Sequence, residues 1–139
     1  MMKLGELLVA NNVISDRNLL NALEKQYTLT EPTKLGEILI NQGLLTETML
    51  IHFLGQQLGL RVIETVNVND VIQEALPERV CRDNTCIVVS REGESILILA
   101  STSDGPDLRE EYDIQHCIIA LAKVSTIRQA MEAYRSKNG

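Results

Sequence analysis

The chain has 139 residues, 45% of them hydrophobic and 23% charged, an ordinary soluble-domain composition that allows one domain or two very small ones. A net charge of -6 argues against general affinity for DNA or RNA, which requires a basic face. With one Phe, three Tyr and no Trp, the core must be aliphatic. No window approaches the roughly 18 apolar residues of a membrane span, and Met1-Met2-Lys3 carries no signal-peptide pattern.

The stretch KLGELLVANNVISDRNLLNALEKQ, Lys3 to Gln26, returns without a gap as KLGEILINQGLLTETMLIHFLGQQ, Lys34 to Gln57. Leu8/Leu39, Leu19/Leu50 and Leu23/Leu54 coincide, and most other pairs are conservative. An apolar pattern can recur in any two amphipathic helices. A shared Lys-Leu-Gly and a shared closing Gln are not demanded by packing, so two copies of one surface suggest a ligand with two equivalent halves or a partner gripped twice.

Each repeat reads as helix, turn, helix. In the second, Leu35, Ile38, Leu39 and Gln42 follow helical spacing, and Gly43 stands where a helix end takes a left-handed residue. Leu44-Leu45 bury the turn, Thr46 caps the next helix, and Met49, Leu50, Phe53 and Leu54 carry it to Gln57. The first repeat matches, with Asn12 at the glycine position, Val13 in the turn and Ser15 as cap. Tyr27 to Thr33 is expected to be a loop leading into Lys34.

After Leu58-Gly59 the texture changes. Arg61 to Glu64 is expected to be a short strand, Asn69 or Asp70 to cap a helix ending at Ala75, and Pro77 to open a helix from Glu78 to Arg82. Thr85 to Ser90 and Ser95 to Ser101 form a hairpin signal around Arg91-Glu92-Gly93-Glu94. Ser103-Asp104-Gly105-Pro106 breaks the chain before a short helix near Leu108. Cys117 to Leu121 reads as a third strand, and Ser125 as the cap of a final helix with Ile127, Ala130, Met131 and Tyr134 on one face. The expected fold is α+β: residues 1–59 form a four-helix unit of two helix-turn-helix repeats, and residues 60–139 a small mixed sheet of three or four strands with helices.

Sites of reaction chemistry are not evident. There is no GxxxxGK[ST], GxGxxG, GxSxG or HExxH motif. Glu110, Glu111 and Asp113 read as a solvated acidic face, and Ser101-Thr102-Ser103-Asp104-Gly105 as an ordinary turn rather than an anion loop. Cys81, Cys86 and Cys117 lack CxxC spacing and read as buried reduced thiols of a cytosolic protein. His52 and His116 stand apart from any metal-spaced cluster. Neither a catalytic residue, a metal nor a cofactor is therefore expected.

The repeated glycines weigh more. Gly5 and Gly36 fall in first helical turns, where Gly costs about 1 kcal/mol relative to Ala, so something must approach the backbone closely. That is either tight helix–helix contact or a flat or anionic group lying at the helix start beside the lysine.

Lys-Leu-Gly, a Gly-like turn, Leu at the later positions and a closing Gln, twice over, resemble the MshEN domain at the N-terminus of type II secretion and type IV pilus assembly ATPases. Residues 60–139, with Ala75-Leu76-Pro77-Glu78 and the hairpin, resemble the α/β portion that follows it. The resemblance implies a cytoplasmic regulatory domain binding cyclic di-GMP, one repeat for each half of the dinucleotide. Carried over, Lys3, Leu4, Gly5, Leu8, Asn12, Val13, Leu23 and Gln26 serve one half; Lys34, Leu35, Gly36, Leu39, Gly43, Leu44, Leu54 and Gln57 serve the other. Lys replaces the usual Arg, Asn12 replaces Gly, and the connector is longer than the family's. The alternative is a nucleotide-free interaction module that docks a secretion or pilus component at the inner-membrane face without inserting into the membrane.

Overall fold

Left-handed turn residues at matched positions decide where the first helices stop. In the computed structural model, which describes residues 3–100 and 105–138, α1 (Leu4–Ala10) and α3 (Leu35–Asn41) end at Asn12, φ 58°, and Gly43, φ 75°. The Val13 N–H donates to the Leu8 carbonyl at 2.9 Å and the Asn12 N–H to Val9 at 3.0 Å. Leu44 to Leu39 at 3.0 Å and Gly43 to Ile40 at 2.9 Å repeat the pattern. This double closure, reaching back five residues and three, satisfies carbonyls that a helix end leaves open. Gly43→Ala, which forces a Cβ into the left-handed region, is expected to cost about 1 kcal/mol in thermal unfolding; an unchanged melting temperature would contradict this turn.

Each second helix starts at a hydroxyl cap. Ser15 accepts from the Asn18 N–H at 3.0 Å and the Asn18 side chain accepts from the Ser15 N–H at 3.0 Å, a reciprocal box opening α2 (Asp16–Thr28). Thr46 accepts from the Met49 N–H at 3.1 Å and opens α4 (Glu47–Leu58), which closes on Gly59 at φ 66°. Helix α2 reaches Thr28, so the loop begins later than expected: the Thr28 hydroxyl and the Leu29 N–H both close onto the Lys25 carbonyl.

The chain divides into two compact units, Met1–Gly59 and Leu60–Gly139. In the first, α1 packs on α4 and α2 on α3, with α1 also touching α2. Exchanging the repeats turns the α1–α4 contact into the α3–α2 contact, so the unit is pseudo-two-fold. Its core joins Leu8, Ile14, Ala22, Ile38, Leu39 and Leu45, with Leu19 and Leu50 packed against it. Each repeat buries its apolar face on the other, as half a four-helix unit cannot do alone.

In the second unit, β1 (Cys86–Arg91) and β2 (Glu94–Leu99) form the hairpin, with Arg91 opposite Glu94. Glu92 at φ 50° and Gly93 at φ 82° supply the two positive φ values of a type I′ turn. Strand β3 (Ile118–Leu121) joins β2 in parallel, giving a three-stranded mixed sheet in the order β1-β2-β3. Ile87, Val89, Ile96, Ile98 and Ala120 share one face and pack with Ile127 and Ala130 of α7 (Val124–Asn138). Cys86, Val88, Leu97, Leu99 and Leu121 on the other face are buried too, which explains the unbroken apolar runs. The architecture is α+β.

Three elements differ from expectation in this unit. Residues 61–64 form no strand: Val62 bridges Leu121, with two bonds from Ile63 N–H to the Leu121 carbonyl and from Leu121 N–H to the Arg61 carbonyl. In place of a helix to Ala75 there are two 3-10 turns, Val68–Asp70, capped by Asn67, and Gln73–Ala75. Between them Val71 is extended and bridges Val89, and the Ile72 N–H donates to Val88 at 2.9 Å; a β-branched pair taken up by β1 cannot continue a helix. Ser125 lies inside α7, which begins at Val124. Helix α5 runs Glu78–Asn84 and α6 Gly105–Glu111; the expected strand end at Ser101 and the turn through Asp104 lie outside the described residues. Among the described residues, no helix is long and apolar enough to cross a membrane.

Candidate functional site: the duplicated helix starts

Both Lys-Leu-Gly motifs begin a helix, with Lys3 and Lys34 as its extended, exposed first flanking residues. Gly5 and Gly36 are buried. A Cβ on Gly5 would lie 2.6 Å from Leu19 Cδ1 and 3.4 Å from Leu35 Cδ2; one on Gly36 would lie 2.6 Å from Leu50 Cδ1 and 3.0 Å from its Cδ2. The close approach that the glycines serve is thus made by a leucine of the same repeat's second helix. Tight helix packing accounts for both glycines without a ligand. The Gly5–Leu35 approach also brings the two Lys-Leu-Gly motifs together.

Of the other candidate residues, Leu8 and Leu39 are fully buried and can only shape a surface from beneath. Leu4, Val13, Leu35, Leu44 and Leu54 are half-buried, Leu23 is exposed, and Asn12 and Gly43 are exposed at the left-handed turns. Gln26 is half-buried, and its side-chain amide donates to the Thr33 carbonyl at 2.9 Å. The closing glutamine of the first repeat therefore holds the residue just before Lys34, tying the end of one repeat to the start of the next. Gln57 is half-buried and also engaged. Sequence reasoning missed Leu19 and Leu50 as glycine partners, although their coincidence in the repeat alignment was a usable signal. It missed Thr33 outright, since one backbone carbonyl leaves no trace in residue type.

The second unit carries a cavity of about 240 Å³ lined by Gln73, Glu78, Cys81, Ile87, Met131, Tyr134 and Arg135. Arg135 donates to Glu78 Oε1 from two nitrogens at 2.8 and 3.1 Å, joining α5 and α7 at its rim. All three cysteines are free and buried. A hydrogen bond from Cys86 lowers the Cys81 thiol pKa, outweighing burial and the Glu78 charge, which both raise it. Burial pushes the Cys117 thiol up, against the opposing Arg109 charge. Among the described residues no group of three or more His, Cys, Asp or Glu is placed to hold a metal.

No family model matches the chain. It is 30% identical over 145 aligned residues to the type IV pilus assembly ATPase PilB of Myxococcus xanthus (strain DK1622), covering 99% of this chain and spanning only 25% of PilB. A solved structure of MshE with cyclic di-GMP is 26% identical and superposes with a TM-score of 0.73 over 96% of this chain and 99% of the MshE chain. The N-terminal domain of XpsE, 16% identical, shares the fold at a TM-score of 0.66 with the same coverage. In sequence and fold, over nearly its whole length, the chain resembles the MshEN-type N-terminal domains of type II secretion and type IV pilus assembly ATPases.

Proposed function

We propose that this chain is a non-catalytic, cytoplasmic regulatory domain of a secretion or pilus ATPase system, and that its helical unit binds cyclic di-GMP. The supporting observation is the pairing of a pseudo-two-fold unit with likeness to MshE, solved with that dinucleotide. A ligand built of two identical halves fits a surface built of two equivalent halves. Lys3 and Lys34 supply cations for its two phosphates. Leu4, Val13, Leu23 and their counterparts Leu35, Leu44 and Leu54 supply apolar contact for its bases. Gly5, Leu8, Gly36 and Leu39 set the shape beneath, and Asn12 and Gly43 turn the backbone at each edge.

The halves are composite in this proposal. Helix α2 packs on α3, and Gln26 bonds the residue before Lys34, so each ligand half meets the Lys-Leu-Gly of one repeat and the Gln of the other. Hydrolysis belongs to other parts of such an ATPase, since this sequence has no GxxxxGK[ST] loop.

The test is isothermal titration of cyclic di-GMP into the chain, with GTP and cyclic di-AMP as controls. Selective binding at micromolar concentration or tighter is expected. Lys34→Ala and Gln57→Ala should each weaken it about tenfold, the loss of one charge-assisted or polar contact, with little change in melting temperature. Undiminished binding in the double variant would remove these residues from the site. No heat would favour the second reading, a nucleotide-free module docking a machine component at the inner-membrane face. Lys in place of Arg favours that reading, because an ammonium cannot make the planar, bidentate contact of a guanidinium.

A further inference from the structure

Helix α2 carries a second surface. Its core side carries Ala22, fully buried, with Leu19 packed beside it, yet Leu20 is 57% exposed, Leu23 43% and Tyr27 92%. With Asp16 these residues follow i, i+4, i+7 and i+11, one continuous stripe along the helix. In the second repeat the counterpart of Leu20, Ile51, is 5% exposed. Arg17 and Glu24 each follow a stripe residue by one position, so both flank the stripe on one side. Both are exposed, and neither has an ion-pair partner among the described residues.

We propose that this stripe is the contact of a two-fold dimer, in which α2 of one copy lies antiparallel to α2 of a second copy. The charge pattern selects this occupant. When two such stripes run antiparallel with Leu20 against the partner's Leu23, Tyr27 meets the partner's Asp16, and the phenol O–H donates to the carboxylate. The same register sets Arg17 beside the partner's Glu24, and the two-fold axis repeats the pair. One helix thus supplies both sides of an apolar, hydrogen-bonded and ion-paired seam, as an isologous interface requires. A parallel pair would put the two copies of this flank on opposite sides of the seam, where Arg17 and Glu24 face the partner's flank of positions 19 and 26, Leu19 and Gln26, and form no ion pair. Leu23 is common to this seam and the proposed ligand surface, whereas Leu20, Tyr27, Arg17 and Glu24 take no part in that surface, so variants at those positions test the dimer separately from the nucleotide reading.

Sedimentation velocity of the chain from about 10 µM to about 1 mM, a range suited to a small interface, is expected to show a monomer–dimer equilibrium. Leu20→Glu should leave only monomer. Arg17→Glu, which sets like charges together twice, should weaken the dimer about tenfold, and Arg17→Glu with Glu24→Arg should restore it. All these side chains are exposed, so circular dichroism melts should stay close to the parent's. A parent chain that is monomeric throughout, a dimer that survives Leu20→Glu, or a charge swap that fails to rescue would each overturn the proposal. The charge variants decide it even if Leu20→Glu does not fold.

Discussion

Leu39→Ala is expected to lower the stability of the helical unit by about 3 kcal/mol, and Leu8→Ala by a similar amount. Both leucines are 0% exposed and sit in the core that joins the two repeats. Truncation removes three carbons from water-free contact and leaves a hole between helices. Because α1 packs on α4 and α3 on α2, that hole opens at the contact between repeats, which neither repeat can replace. A domain of this size shifts by about 4–8 °C per kcal/mol, so the far-UV melt should move down by more than 10 °C, taking about 3 kcal/mol. The two leucines hold equivalent places in a pseudo-two-fold core, so their effects should agree within about 1 kcal/mol. A loss near zero at Leu39 with a large one at Leu8 would mean that only one repeat carries the core.

What could be read from residues alone was what neighbours in sequence decide. Asn12 and Gly43 announced left-handed helix ends, Ser15 and Thr46 announced caps, and Glu92-Gly93 announced a tight hairpin, because each acts on atoms within five residues of itself. Repetition added a second reading of the same local code and exposed the duplicated surface. Distant partners decided the rest. Val71 and Ile72 looked helical until β1 took them up as an extended pair, and Arg61 to Glu64 looked like a strand, whereas Arg61 and Ile63 meet Leu121 in a single bridge of two hydrogen bonds. The candidate site divides the same way. Which residues to consider followed from the motif, whereas their grouping depends on α2 lying against α3 and on Gln26 reaching Thr33, facts of packing. The glycines span both cases: their need for a close neighbour was legible, and the neighbour's identity was not.

Gly36→Val should carry the largest cost of any substitution at the helix starts, about 3 kcal/mol, and Gly5→Val a comparable one. An added Cβ at Gly36 already meets Leu50 Cδ1 at 2.6 Å, Cδ2 at 3.0 Å and Cγ at 3.4 Å, and valine adds two methyls beyond it. Helix propensity opposes the clash, since replacing Gly gains up to about 1 kcal/mol in a helical turn. Gly36→Ala therefore balances that gain against overpacking of 1–3 kcal/mol and should come out about 1 kcal/mol destabilised. Leu50 is packed into the core cluster, so it can make room only by disturbing its neighbours. A double-mutant cycle isolates the contact. With Leu50→Ala in place, Gly36→Ala should lose its penalty and become neutral or stabilising, a coupling of about 1–2 kcal/mol. Thermal or urea unfolding of the four proteins reads it directly. If Gly36→Ala stabilises the parent by the full helix-propensity gain, Leu50 yields freely and packing does not account for the repeated glycine. The same variant titrated with cyclic di-GMP would then have to lose binding for the glycine to have any purpose at that turn.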